Sequence, residues 1–287
     1  MKTWISAATV AAAVTAGALT VCAQWPAYPD GGPRKSDGKP DFTAPAPRTA
    51  DGKPDFTGTW DLTRGVIGGA GPGVGTEQGD KALPPPPPPA RGGPPLATFF
   101  NIFGNFKEAV PLQPWAAELL NRRRADNSKD NPDAHCLPMG LMQFHLHPQP
   151  RKIVQTSKLI LIIYEANHGL RQIYLDGRPL PSNDPDPWWY GYSVGHWEGD
   201  TLVVETTGYR DDIWLDVWGT PMTSAGRTIE RFRRPNYGSM QIDVTIDDPK
   251  AYTKPFTVRV NHRLSPDSEL MEFICQDRDA THYVGKK

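Results

Sequence analysis

The chain has 287 residues, with 31 Lys plus Arg against 32 Asp plus Glu and a formal net charge of −1. That balance excludes the broad basic footprint of a nucleic-acid binder and the one-sign field that draws a protein to an anionic membrane. Mean hydropathy is −0.51, yet nine Trp, nine Tyr and ten Phe are enough for an aromatic core, while 31 Pro and 27 Gly point to a stretch outside it.

At the amino terminus Lys2 precedes an Ala-rich apolar run from Trp4 to Val21, followed by Val21-Cys22-Ala23. This reads as a secretory signal peptide cleaved after Ala23, and hence as a periplasmic or secreted protein. The run is barely long enough to span a bilayer, and Ala and Thr dilute it. A second reading is a lipoprotein at Cys22, because Leu19-Thr20-Val21-Cys22 resembles a lipobox, although Val21 stands where a small residue is expected. No later stretch is apolar enough to cross a membrane. Cleavage leaves Cys136 and Cys275, which in an oxidising compartment suggest a disulfide, two buried thiols being the alternative. No Cys-x-x-Cys-His run is present, and the reading assigns no cofactor.

Residues 24–95 read as a Gly/Pro-rich arm without apolar periodicity. Asp37-Gly-Lys-Pro-Asp-Phe-Thr43 recurs as Asp51-Gly-Lys-Pro-Asp-Phe-Thr57, and Pro84 to Pro89 must adopt polyproline II. The second copy runs into Phe56-Thr-Gly-Thr-Trp60-Asp-Leu62, a strand-like island expected to dock on the main domain. Residues 96–287 form that domain, led by a helix over 114–124. Pro114 suits its first turn, Trp115, Leu119 and Leu120 give an apolar stripe, and Arg122 to Arg124 form a solvated cap at the negative end of the dipole.

From Lys152 onward short β-branched and aromatic runs alternate with turns. They are 158–165, 170–176, 190–197, 201–207, 228–233, 240–246, 256–263 and 269–276, with the sharpest hairpin at Trp197-Glu-Gly-Asp-Thr201. This predicts an all-β fold: an antiparallel, lipocalin-like barrel or meander with one short amino-terminal helix.

Strand parity sorts the polar side chains. Tyr190, Tyr192, Val194 and His196 fall on one face, as do Phe256, Val258, Val260 and His262, and the two rows are expected to line one concave surface beside Glu165. Tyr190, Tyr192, His196, Phe256 and Val258 are therefore the candidate ligand-binding residues. Glu165, His168 and His262 are the candidate acid/base groups. His145 and His147, two apart on an expected strand, share a face opposite Met142, Phe144 and Leu146 and form a weak metal candidate, with His135, Glu165 or His168 as a third ligand. No Gly-x-Ser-x-Gly, Walker, Rossmann or His-Glu-x-x-His motif is present.

Several segments in order carry a resemblance. Asp51-Gly-Lys-Pro-Asp-Phe-Thr-Gly-Thr-Trp60, Cys136-Leu-Pro-Met-Gly140, Ser193-Val-Gly-His-Trp-Glu-Gly-Asp-Thr-Leu-Val-Val-Glu-Thr-Thr-Gly208, Val244-Thr-Ile-Asp-Asp-Pro-Lys-Ala-Tyr-Thr253 and Glu272-Phe-Ile-Cys275 resemble a family of exported hypothetical proteins of acidobacteria and sphingomonad-type proteobacteria. The resemblance implies export, a single β-rich domain and a Cys136–Cys275 pair. It implies no activity, and His196 stands where a relative's Arg or other polar residue is expected. Three functional readings follow. The first is a barrel that binds or processes a small, largely apolar molecule. The second is an acid/base enzyme (hydrolase, lyase or isomerase) using Glu165 with His168 or His262. The third is an envelope-associated structural domain without a ligand.

Overall fold

A computed structural model describes residues 31–63, 93–181 and 186–275. The signal segment, the proline run and Gln276 lie outside the described residues. The run over Met240–Ile246 becomes a strand in which Met240, Ile242, Val244 and Ile246 are buried. In chain order the strands are β1 (Gly58–Leu62), β2 (Arg151–Gln155), β3 (Leu159–Tyr164), β4 (Leu170–Tyr174), β5 (Tyr192–Glu198), β6 (Thr201–Thr207), β7 (Ile213–Trp214), β8 (Pro221–Met222), β9 (Arg227–Asn236), β10 (Ser239–Asp247) and β11 (Phe256–Leu264). β7 and β8 form a small hairpin of their own.

Among the described residues the other nine close into a barrel in the order β1-β11-β10-β9-β6-β5-β4-β3-β2, with β2 returning to β1. Neighbours are antiparallel except β4 and β5, which run parallel through Ile173↔Ser193 and Tyr174↔Val194. The wholly antiparallel expectation is corrected to a mixed barrel, because the chain after β4 travels back along the barrel before β5 begins. Nine strands with a parallel pair also differ from the eight-stranded up-and-down lipocalin plan. Residues 269–275, expected as a strand, carry none.

One end of the barrel carries the β2–β3, β5–β6 and β9–β10 turns, and the repeated motif covers it. In each copy the residue after the arginine donates to the lysine carbonyl (Lys35 N to Lys39 O, 2.8 Å; Thr49 N to Lys53 O, 2.9 Å), and the arginine caps the glycine carbonyl (Arg34 to Gly38, Arg48 to Gly52). The two Phe side chains then point at the barrel: Phe42 stacks on Tyr237, while Phe56, 1% exposed, packs between Trp197 and Phe232. The chain continues into β1, which pairs with both β11 and β2. Residues 31–62 of the expected arm are thus part of the barrel. Their Gly and Pro content serves tight turns, as at Gly38 (φ 80°) and Gly52 (φ 78°), and not an unpacked spacer.

Among the described residues one α-helix lies against the outside of the barrel and a shorter one is enclosed by it. α1 (Pro114–Ala125) begins at a proline and ends in arginines as expected, but among its residues only Ala116 is buried. Trp115 is 44% exposed, held by its indole N–H on Lys250 O at 2.8 Å. The arginines are more than a solvated cap, since Arg123 and Arg124 lie over the Trp214 and Trp218 rings at 4.3 and 4.1 Å. α2 (Leu141–Leu146) was read as a strand, and every one of its six residues is buried. A short helix buried on every side fits only where it is enclosed and its polar residues, Gln143 and His145, find partners, and its side chains reach the barrel's inward residues: Phe144 stacks on Tyr164 at 4.3 Å, and His145 meets Glu230.

Candidate functional site

The inward faces of the strands are mostly Ile, Val, Leu, Met and Phe, but they converge on a buried polar network. Glu230 on β9 is the hub. Arg171 on β4 pairs with both carboxylate oxygens, one at 3.0 Å, and also bonds Ser193 Oγ and Thr206 Oγ1. His145 Nε2 lies 2.7 Å from Glu230 Oε1. Arg151 on β2 donates to the carbonyls of His145, His147 and Gln149 at 3.2, 2.6 and 2.7 Å and touches His262 Nε2. These carbonyls form the exit of α2, so Arg151 ties the plug to the wall.

Burial works to raise the Glu230 carboxyl, but Arg171 and His145 outweigh it and hold it at about 2. Burial lowers both imidazoles, outweighing the opposing pull of Glu230 on His145, and the adjoining guanidiniums add to it, so His145 and His262 are neutral at pH 7. His145 therefore presents its Nε2–H to the Glu230 carboxylate. Burial also brings Arg151 down to about 10, which leaves it charged. Arg151, Arg171, Glu230, His145 and His262 are each at most 2% exposed. The network fixes α2 inside the barrel and turns no group toward solvent. Parity could have found it, because Arg171 alternates with Ile173, and Glu230 with Thr228 and Phe232.

The expected single concave surface does not form. Phe256, Val258 and His262 share a face as expected, but it turns inward and they are buried. Tyr192, Val194 and His196 face outward, since Ser193 is the buried partner of Arg171 and Trp197 packs on Phe56. Tyr192 stacks on Tyr174 and accepts from Arg178, while His196 is exposed beside Glu198 at 3.5 Å. Tyr190 parts from Tyr192 because Gly191, at φ 66°, interrupts the strand, and Tyr190 packs on Phe144.

Nor do the acid/base candidates meet. His262 is inside the barrel, whereas Glu165 follows β3 and accepts Met271 N at 2.8 Å from the carboxy-terminal segment. Burial raises the Glu165 pKa, and Asp61 adds to it. His168 is exposed, and with Asn167 it takes a left-handed conformation (φ 49° and 50°). The segment over Glu165 is tethered by the Cys136–Cys275 disulfide, whose Cα atoms are 5.6 Å apart.

The metal candidate is corrected in geometry. His145 ends a helix and His147 follows it, so the two rings leave in different directions, one to Glu230 and one toward Asp133 at 3.9 Å. His135 bonds Lys129 O instead. Among the described residues no group of three His, Cys, Asp or Glu side chains is placed to hold a metal ion, and no helix is long and apolar enough to cross a membrane.

Open space lies on the outside. At the barrel end opposite the repeats, Phe256 joins Phe103 at 4.9 Å, Tyr252 at 4.8 Å and Phe106 at 5.9 Å. Residues 95–97 run beside β11, with Ala97 N on Arg259 O at 2.9 Å, and the loop that follows leaves a groove of about 450 Å³. Its apolar walls are Pro95, Phe106, Ala109, Pro111, Pro255 and Phe256, and Lys107, Glu108 and Lys254 stand among its polar residues. No family model, no curated protein and no solved structure matches the chain.

Proposed function

We propose that this is an exported β-barrel protein that binds a small, largely apolar molecule, and that the ligand sits in the groove beside Phe256 and not in the lumen. The groove carries the reading: aromatic and proline walls around about 450 Å³, within the range of small-molecule sites. α2 and the Glu230 network occupy the lumen, which turns the search outward. Lys107 and Lys254 against Glu108 favour a ligand with one anionic end. Export rests on the signal-like segment, is in keeping with the disulfide, and belongs with the family resemblance to the same proposal.

The test uses the mature protein and the anionic apolar dye 1-anilinonaphthalene-8-sulfonate under native conditions. Dye binding should be saturable, and Phe106→Ala should weaken it about tenfold while the urea midpoint moves little, because Phe106 is only partly buried. Lys254→Ala should weaken it less. Absence of saturable binding, or binding that both variants retain, would leave a structural barrel without a ligand at this groove.

A further inference from the structure

A second open cleft, of about 430 Å³, lies between the carboxy-terminal half of α1 and the loops carrying Trp189 and Trp214. Its lining is unlike that of the groove beside Phe256. Trp189, Leu119 and Leu137 give it an apolar floor, and Leu137 is 46% exposed. Around that floor stand three carboxylates, Asp126, Asp130 and Asp212, and two guanidiniums, Arg122 and Arg123.

We propose that this cleft binds a neutral oligosaccharide. A pyranose ring has an apolar C–H face and a rim of hydroxyls that both donate and accept, so it needs a flat apolar floor ringed by mixed polar groups. Carboxylates accept from the hydroxyls and guanidiniums donate to them. The charge balance favours a neutral ligand. Lys129 lies 3.0 Å from Asp126 and 3.8 Å from Asp130, Arg210 chelates Asp212 at 3.1 Å, and Arg122 faces Glu118 at 3.8 Å, so with Arg123 four cations meet four anions. An anion would meet the aspartates and a cation the arginines.

The polar groups are also held in advance. Arg123 donates to Gly219 O at 2.7 Å and lies 4.3 Å over the Trp214 ring, while Arg210 lies 4.5 Å over the Trp189 ring and fixes Asp212 beside it. Burial lowers the Arg123 pKa to about 10, so it remains a charged donor at neutral pH. Side chains ordered before a ligand arrives lose less freedom on binding it. This inference does not depend on the groove beside Phe256, since α1 and the Trp189 loop contribute nothing to that groove's walls.

The experiment titrates the mature protein with cellohexaose, xylohexaose, mannohexaose, maltohexaose and chitohexaose, following tryptophan fluorescence and heat. At least one should bind with a dissociation constant of about 1 mM or tighter. Trp189→Ala should weaken that binding at least about tenfold, and Asp130→Asn severalfold. The Asp130 side chain is 70% exposed, so this second variant keeps the test intact if the first fails to fold. Trp115→Ala, which lies outside the cleft, should bind as wild type does. Failure of all five sugars, unchanged affinity in Trp189→Ala and Asp130→Asn, or tighter binding of hexagalacturonate than of every neutral sugar would each overturn the proposal.

Discussion

Arg48 holds Asp200 through two hydrogen bonds of 2.9 and 2.6 Å, so the second copy of the repeat grips the β5–β6 turn from outside the barrel. The same copy buries Phe56 beneath that turn. The two contacts differ in kind: one is a solvated ion pair, the other a core aromatic.

Phe56→Ala should therefore cost about 3–5 kcal/mol, as truncation of a buried aromatic does. Arg48→Ala should shift the urea midpoint only slightly, and less still at high salt, because the guanidinium is about half exposed. Urea midpoints compared at a common m-value check both. Equal stabilities for Phe56→Ala and wild type would remove the repeat from the core.

The buried histidines make stability depend on pH. Burial holds His145 and His262 below the usual histidine range, against the pull of Glu230 on His145, and the neighbouring guanidiniums add to it. For a base depressed by folding, the unfolded chain takes up the proton first. Stability is therefore full above about pH 6.5 and falls below it, by about 1.4 kcal/mol per pH unit for each histidine. Glu230 is an acid depressed to about 2, so its contribution is present above about pH 4.3 and fades as pH drops toward 2. Urea midpoints measured from pH 8 to pH 3 should be level above pH 7 and decline in these two stages. His262→Gln should flatten the upper stage by about one proton, and a wild-type profile level down to pH 5 would contradict the neutral imidazoles.

Glu230→Gln isolates the hub. It leaves Arg171 fully buried with only hydroxyl and amide partners, so it should cost about 3–5 kcal/mol. Replacing the pair together, as Arg171→Met with Glu230→Leu, should restore part of that loss, and denaturant melts of the single and double variants measure the coupling.

Reduction should loosen the segment over Glu165. The disulfide closes a loop with a sequence separation of 139 residues, for which chain entropy sets an upper figure of about 4–5 kcal/mol. Cys136→Ser with Cys275→Ser should lower the urea midpoint and raise hydrogen exchange at Met271, whose amide bonds Glu165. Unchanged exchange there would show that the segment is held without the tether.

Strands were legible where one face is buried and the other wet, as along β10, and where a turn demands glycine, as at Gly199 with φ 60°. α2 was illegible because Leu141, Met142, Phe144 and Leu146, interrupted only by Gln143 and His145, suit both the helical and the strand period in so short a run, and only enclosure decides between them. The row of Tyr190 and Tyr192 was broken at one backbone angle. Gly191 turns the chain, so Tyr190 goes to Phe144 while Tyr192 joins the outer wall, and parity cannot be carried across such a break. The β4–β5 pairing was hidden for a different reason: it depends on how residues 175–191 travel, which no local pattern encodes. The arginine–tryptophan stacks of α1 were half visible, since the arginines stood in the last turn but their ring partners lie far along the chain.

The barrel's seam has a consequence for how the molecule forms. Trp60 on β1 pairs with Leu264 on β11, so the cylinder cannot be sealed until almost the whole chain has been made. Before then β1, paired only with β2, and the last strand made so far present unpaired amides and carbonyls to any neighbouring chain. Contacts so distant in sequence are slow to find one another. A chain emerging amino end first therefore spends its most vulnerable interval with β1 waiting, and association between nascent copies competes with closure during that interval.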